Sequence, residues 1–465
     1  MPEDNLYREL AIASVGFVTA PAGCGKTEAI IQSVKNYCNG KQLILTHTNA
    51  GLTALRKRFK TNEVSSDKFH IDTISGWALS WVSKYPTLSN YEGNLPIPTN
   101  GEWSMLYRSA SVLLQKEFVK KVILNSYSGV IVDEYQDCTF PMHELVLKLV
   151  EIIPTRILGD PLQGIFSLNA DDPLVDWETV TSDFINNIGT LSTPFRWNNV
   201  MNPTLGQWLI ESRSIFEDNR IPILNHRSIL QEQVDPSQKA ARIQALIRSI
   251  EGSICIIGPK HGNTYGPLIS SMVNAGVIPV EPNDLPFLKS LIENLSSNIP
   301  NAAKGTLSFS FLKSTFAGLE EHKDFIEKIL TGNLRRPPIG ENRRALYQSH
   351  GIGYSFELLL EVINYIQNAR IKAKKPDSIR TLKRILERHQ YEGISLQAGF
   401  TEEILKRKFH DKGRPKKCFG STLLLKGLEF DHAIILYNSN DNGWSNVKDF
   451  YVALTRGSKS IYIIQ

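Results

Sequence analysis

The sequence predicts an α/β fold with two doubly wound parallel sheets, and three observations carry that prediction. A glycine-containing loop, Thr19-Ala20-Pro21-Ala22-Gly23-Cys24-Gly25-Lys26-Thr27, separates the apolar run Val15–Val18 from Glu28–Val34, which has helical spacing. Two further apolar runs, Gly129–Val132 and Thr155–Gly159, end in carboxylates at Asp133-Glu134 and Asp160, the pattern of strands buried on both faces of a parallel sheet. Strand-like runs then return near the C-terminus, behind a long stretch whose patterning is helical only.

Taken in order, Gln42–Thr46 reads as a buried strand, followed by a helix over Ala50–Phe59. Phe69–Ser75 begins a strand-to-helix passage with Trp77 and Trp81 one turn apart. Residues 83–126 have weak strand character and read as a small, mostly helical insertion. A second α/β region follows Arg196, with helices over 199–213 and 238–250, a strand at Ser253–Gly258, a helix near 265–275 and a short strand at Val277–Val280. From 284 to 410 the pattern is helical, after which Ser421–Leu425, His432–Tyr437 and Ser460–Ile464 resume the sheet. The expected domains are 1–82 with 127–195, an insertion at 83–126, a second core at 196–283 with 418–465, and a helical basic insertion at 284–417. No repeat of fixed period is present.

Composition sets the bounds. A chain of 465 residues exceeds what one core serves. No run approaches the length of a membrane span, and the acidic start Met1-Pro2-Glu3-Asp4-Asn5 argues against a secretory signal. Five widely spaced cysteines with no Cys-x-x-Cys pair read as reduced thiols, so a cytoplasmic protein without a zinc module is expected. The net charge of +5 alone identifies no partner.

The glycine loop has the chemistry of a phosphate cradle. Gly23 and Gly25 let backbone N–H groups curl around an anion, Lys26 can reach the terminal phosphates, and the Thr27 hydroxyl can ligate Mg²⁺. The first glycine of the usual pattern is Ala20, and the alternative is a surface turn. Asp133 can hold Mg²⁺ through its shell and Glu134 can orient and deprotonate a water. A terminal Asp-Glu is otherwise a helix-capping pair.

Asp133-Glu134-Tyr135-Gln136-Asp137 resembles the second motif of UvrD/Rep/PcrA-like superfamily 1 helicases, and other motifs follow in that family's order. Ala20–Thr27 resembles the first, Thr46-His47-Thr48-Asn49-Ala50 the Thr-Phe-Thr-Asn segment, and Gly159-Asp160-Pro161-Leu162-Gln163-Gly164-Ile165-Phe166 the third. Phe195-Arg196 resembles the fourth, Lys426-Gly427-Leu428-Glu429-Phe430 the fifth, and Tyr451–Arg456 the sixth. The resemblance implies two RecA-like P-loop NTPase domains closing on ATP and Mg²⁺. It assigns Ala20, Gly23, Cys24, Gly25, Lys26, Thr27, Phe195 and Glu429 to the nucleotide, Thr27 and Asp133 to the metal, and Glu134, Gln163, Arg196 and Arg456 to catalysis.

Departures fall on the nucleic-acid side and on adenine reading. No Gln precedes the loop in residues 1–18, Ser167-Leu168-Asn169 lacks the family's aromatic and Arg, and Leu423 replaces its His. Candidate DNA contacts are His47, Thr48, Asn49, Thr73, Trp77, Phe166, Trp197, Lys416 and Lys417, with a core or rim role as the alternative for the aromatics. Residues 370–417 hold 15 Lys/Arg against 6 Asp/Glu, a density suited to phosphate contacts or to a solvated helix face.

The expected partner is single-stranded or tailed DNA, with no membrane. The compact plan also resembles the helicase-like subunit of Gabija anti-phage defence systems, which works with a nuclease partner. Two functions follow from the resemblance: a 3′-to-5′ DNA helicase or translocase, or a DNA-sensing ATPase that regulates a nuclease with little unwinding of its own.

Overall fold

A computed structural model gives the fold and describes every residue except 1, 94, 96, 97, 99–101, 166–172, 259–271, 273, 274, 280–284, 394, 398, 401–415 and 438–445. The chain divides into two compact units, Met1–Val280 with Gly413–Gln465, and Glu281–Lys412.

The first unit holds two six-stranded sheets, parallel at every pairing. The first lobe runs α1 (Pro2–Ile12), β1 (Val15–Thr19), α2 (Lys26–Gln32), β2 (Gln42–Thr46), α3 (Asn49–Thr61), β3 (Phe69–Thr73), α4 (Ile74–Lys84), α5 (Pro86–Ser89), α6 (Trp103–Leu114), α7 (Glu117–Ser126), β4 (Gly129–Val132), α8 (Phe140–Val150), β5 (Thr155–Gly159), α9 (Trp177–Asp183) and β6 (Asn187–Thr190). Its strand order is β3-β2-β4-β5-β1-β6. The apolar strands β2, β4 and β5 are buried along their whole length, because helices cover both faces. Helix starts are set by side chains: Thr48 Oγ1 accepts from Gly51 N (3.0 Å) to open α3, and Thr73 Oγ1 accepts from Gly76 N (2.9 Å) to open α4. Helices α6 and α7 share one apolar core with α4, α8 and the sheet, through Leu106, Leu113, Val119 and Ile123.

The second lobe continues with α10 (Phe195–Asn198), α11 (Pro203–Glu211), α12 (Arg213–Glu217), β7 (Ile229–Glu232), α13 (Lys239–Ser249), β8 (Ile254–Gly258) and β9 (Ile278–Pro279). After the helical unit come β10 (Lys417–Ser421), a short helix at Thr422–Leu425, β11 (Phe430–Leu436), a helix at Val447–Leu454 and β12 (Gly457–Ile464). The order is β7-β12-β11-β8-β10-β9.

One local expectation needs correction. The strand expected at 421–425 lies four residues earlier, where Cys418 and Gly420 are buried between β8 and β9. Thr422–Leu425 is instead helical, its Thr422 hydroxyl donating to Asp449 Oδ1 at 2.6 Å. Edge strands β6 and β7 carried no apolar run to reveal them, since each is paired on one side only. The helix near 265–275 lies almost wholly outside the described residues.

The second unit is helical: α14 (Leu285–Ser296), α15 (Asn301–Thr315), α16 (Glu320–Thr331), α17 (Glu341–His350), α18 (Phe356–Asn368) and α19 (Pro376–Glu392). They enclose a core of their own that includes Leu288, Phe311, Ile326, Leu359, Ile363 and Leu382. With those six in place, the two C-terminal helices of the first unit are α20 (Thr422–Leu425) and α21 (Val447–Leu454). Among the described residues no helix is long and apolar enough to cross a membrane.

Candidate functional site

Strand β1 delivers the chain into the loop beside β5. Ala20 N donates to Gly159 O at 2.8 Å, and Ala22 N donates to Asp160 Oδ2 at 3.1 Å. Gly23 and Gly25 hold φ of 71° and 84°, the left-handed region that favours glycine. Space forbids a side chain as well: a Cβ on Gly23 would lie 2.6 Å from the Trp197 ring, and one on Gly25 would lie 2.8 Å from the Phe195 ring. Gly25 immediately precedes α2, so that helix N-terminus faces the loop, with Lys26 and Thr27 in its first turn. Cys24 is buried, and burial together with Asp160 pushes its thiol up to about 12, which leaves it inert.

Lys26 crosses to the end of β4. Its Nζ lies 2.6 Å from Glu134 Oε2 and 3.4 Å from Asp133 Oδ1. Burial works against the Lys26 charge, but the two carboxylates outweigh it and raise its pKa. Burial raises Asp133 to about 6 despite Lys26, whereas Lys26 and Lys426 overcome burial at Glu134 and hold it at about 2. Glu134 itself sits at φ 57°, a backbone position that non-glycine residues adopt at a cost, and Gln136 Nε2 donates to its carboxylate.

The second lobe reaches the same place. Arg196 N donates to Gly23 O at 3.1 Å, while its guanidinium donates to Thr455 O at 2.6 Å and pairs with Glu429 Oε1 at 2.7 Å. Lys426 Nζ bonds the buried Asp137 carboxylate and the backbone oxygen of Gln163. Gln163 Nε2 donates to Asp160 Oδ2 at 2.9 Å. These contacts join Gly23, Gly25, Phe195, Arg196 and Glu429 at the loop, Lys26 to Asp133 and Glu134, and Gln163 to Lys426 of the second lobe.

Arg456 lies within electrostatic reach of Arg196 and Glu429. It is 1% exposed, and its guanidinium donates to Val452 O, Leu428 O and Thr455 Oγ1 within its own lobe. Burial, followed by the nearby Arg196 charge, lowers it to about 10.

Several candidate strand contacts are used internally. Trp77 is 2% exposed and belongs to the core beneath β2 and β4. Trp197 is equally buried, packs on Gly23 and donates to Gly457 O at 3.2 Å. Thr73 is buried and its hydroxyl caps α4, while that of Thr48 caps α3. Lys417 Nζ donates to Ile247 O at 2.8 Å, at the C-terminal end of α13. Lys416 is exposed. His47 lies near Lys426 and Glu134, and burial followed by the Lys426 charge lowers it to about 4. Phe166, Leu168, Asn169 and the side chain of Asn49 lie outside the described residues.

Residues that sequence reasoning gave no role also meet here. Lys426 stands inside a motif already noted, and that was its only signal. Arg213 had none, since one arginine in a short amphipathic helix reads as a surface residue; its Nη2 lies 2.9 Å from the buried Asp160 Oδ1.

Against known proteins, residues 6–168 match the AAA_19 family, described as an AAA domain. No curated protein matches in sequence. Among solved structures, the chain is similar to the Arterivirus nonstructural protein 10 helicase in complex with DNA, at 9% identity and a TM-score of 0.37, covering 99% of this chain and 63% of that one. A second structure of the Arterivirus helicase gives 9% identity and a TM-score of 0.39, covering 99% and 62%. The chain therefore spans less than two thirds of those structures. Over residues 6–168, which contain the glycine loop, Asp133-Glu134 and Gln163, this protein is similar to AAA domains.

Proposed function

We propose that the chain is a nucleic-acid-dependent ATPase of the superfamily 1 helicase type, similar to UvrD, that turns over ATP between its two lobes and couples turnover to single-stranded or tailed DNA. The observation that carries this reading is the meeting of Lys26, Asp133 and Glu134 beneath a glycine loop that Arg196 contacts from the side of the second lobe. The AAA match over residues 6–168 supports the same chemistry.

Polyphosphate entering the loop draws Lys26 away from Glu134. Relieved of that positive charge, the Glu134 carboxylate becomes a better proton acceptor for an attacking water. Thr27 and Asp133 would hold Mg²⁺, which when bound neutralises charge on the phosphate oxygens. Gln163 would sense the terminal phosphate and Arg196 would offset charge developing on it, while Phe195 would offer its ring to the base. Arg456 would add its charge from beside Arg196 and Glu429.

A second reading is favoured by a specific observation: Trp77, Trp197, Thr73 and Lys417 are engaged inside the protein. With these candidates engaged inside the protein, base stacking would be weaker, which suits a sensor of DNA better than a motor, and such a sensor would regulate a partner nuclease, as in anti-phage defence. The test is ATP hydrolysis with and without single-stranded DNA, beside strand separation on a 3′-tailed duplex. Turnover that rises with DNA and vanishes in Lys26→Ala supports the shared reading, and turnover indifferent to Lys26→Ala overturns it. Stimulation without strand separation selects the sensor.

A further inference from the structure

The carboxylate of Asp160 is fully buried at the end of β5 and collects five donors. From the first lobe come Ala22 N in the glycine loop (3.1 Å), Leu162 N (3.2 Å) and Gln163 Nε2 (2.9 Å). From the second come Arg213 Nη2 (2.9 Å) and, at the long distance of 3.4 Å, the Tyr451 hydroxyl. Arg213 is itself fixed by second-lobe groups: its Nη1 donates to the Tyr451 hydroxyl at 2.8 Å, its Nη2 lies 3.2 Å from Glu217, and its guanidinium carbon sits 5.6 Å from the centre of the Tyr451 ring. Phe216, three residues on, packs edge-on against the same ring. One charged contact therefore joins helices α12 and α21 to the carboxylate that holds both the loop and Gln163.

We infer that Arg213 is a positioning residue for hydrolysis: acting through Asp160, it holds Gln163 and the glycine loop in place only while the second lobe is docked. The inference rests on the ATPase reading above. Its physical basis is the cost of an unpaired buried charge. If α12 moves away, Asp160 keeps only neutral donors, and a dry carboxylate without its cation is strongly disfavoured. The carboxylate must then rehydrate, and Ala22 N and Gln163 Nε2 shift with it. Lobe position and Gln163 geometry are thereby linked, and the linkage acts in both directions. Gln163 is held at its other end too, because Lys426 of the second lobe bonds its backbone oxygen.

The experiment is steady-state ATP hydrolysis by the full chain, with and without single-stranded DNA, for Arg213→Met, Arg213→Ala, Arg213→Lys and Lys26→Ala. Arg213→Met is expected to lower kcat by about 10- to 100-fold while KM changes by less than about threefold, because Lys26 and the loop glycines remain to bind nucleotide. Added guanidinium ion at a sub-denaturing concentration should restore part of the turnover of Arg213→Ala and none of that of Lys26→Ala. If Arg213→Met does not fold, Arg213→Lys carries the test: the charge is kept but the two-pronged contact is lost, and kcat should fall several-fold at unchanged KM. Wild-type kcat in a folded Arg213 variant overturns the inference, as does a loss that tracks thermal stability and is not rescued by guanidinium. If Lys26→Ala is inactive while the Arg213 variants turn over normally, only this inference fails; if Lys26→Ala stays active, the ATPase reading itself fails.

Discussion

At the scale of single residues, the cleft is a set of competing charges around Lys26. Glu134 is held ionised by Lys26 at 2.6 Å and by Lys426, so its function depends on what displaces the lysine. Glu134→Gln keeps the shape and removes the proton acceptor. The expected result is nucleotide binding near the wild-type level with kcat reduced by about 10²- to 10⁴-fold, measured by equilibrium binding beside turnover. His47 gives a pH signature of stability. Its folded pKa of about 4 lies below the ordinary histidine value of 6.5, so between those values the unfolded chain binds the proton and the folded one does not. The stabilising contribution is complete above about pH 6.5 and is lost as the pH falls toward 4. The unfolding free energy should therefore fall more steeply over that window in the wild type than in His47→Gln, by up to about 3 kcal/mol. Parallel pH profiles would remove His47 as the source.

At the scale of elements, two buried contacts decide how helices dock. Arg156, on β5, is 2% exposed and donates to Leu10 O on α1 and to Gln42 Oε1 on β2, which ties the N-terminal helix to the sheet. In the helical unit Gly305 lies inside α15, where helix propensity alone favours alanine by about 1 kcal/mol. A Cβ there would lie 2.3 Å from Leu330 O on α16. Overlap with backbone outweighs propensity, so Gly305→Ala should lower stability by about 1–3 kcal/mol, read from thermal or denaturant unfolding. A stabilised variant would show that α15 and α16 can move apart freely. Elements were legible in the sequence in proportion to their burial. Strands β2, β4 and β5 announced themselves as apolar runs because both faces are covered. Edge strands β6 and β7 did not, and the leucines at 423–425 misled because a short helix can carry the same run.

At the scale of the whole first unit, the lobes are joined by contacts that also touch the site. Lys426 bonds the buried Asp137, which burial raises to about 7 against the pull of Lys426. Lys426→Met leaves that carboxylate without its cation near neutral pH. The expected outcome is a loss of about 3 kcal/mol in stability together with a large fall in turnover, checked by unfolding and hydrolysis on the same preparation. A variant that loses turnover at unchanged stability would place Lys426 in the chemistry alone.

The sequence by itself determined the α/β class, the glycine loop, the acidic pair and the basic character of 370–417, because backbone conformation and burial on two faces restrict residue choice locally. Tertiary structure decided what local pattern does not encode. It turned Trp77 and Trp197 inward, used Thr73 and Lys417 as helix-terminal partners, buried Arg456 within its own lobe, and brought Arg213 to Asp160. The reason is physical: whether an aromatic ring or a cation meets solvent, a ligand or a buried carboxylate depends largely on groups far away in the chain, as with Arg213 and Tyr451, 238 residues apart, and short-range spacing carries no record of them.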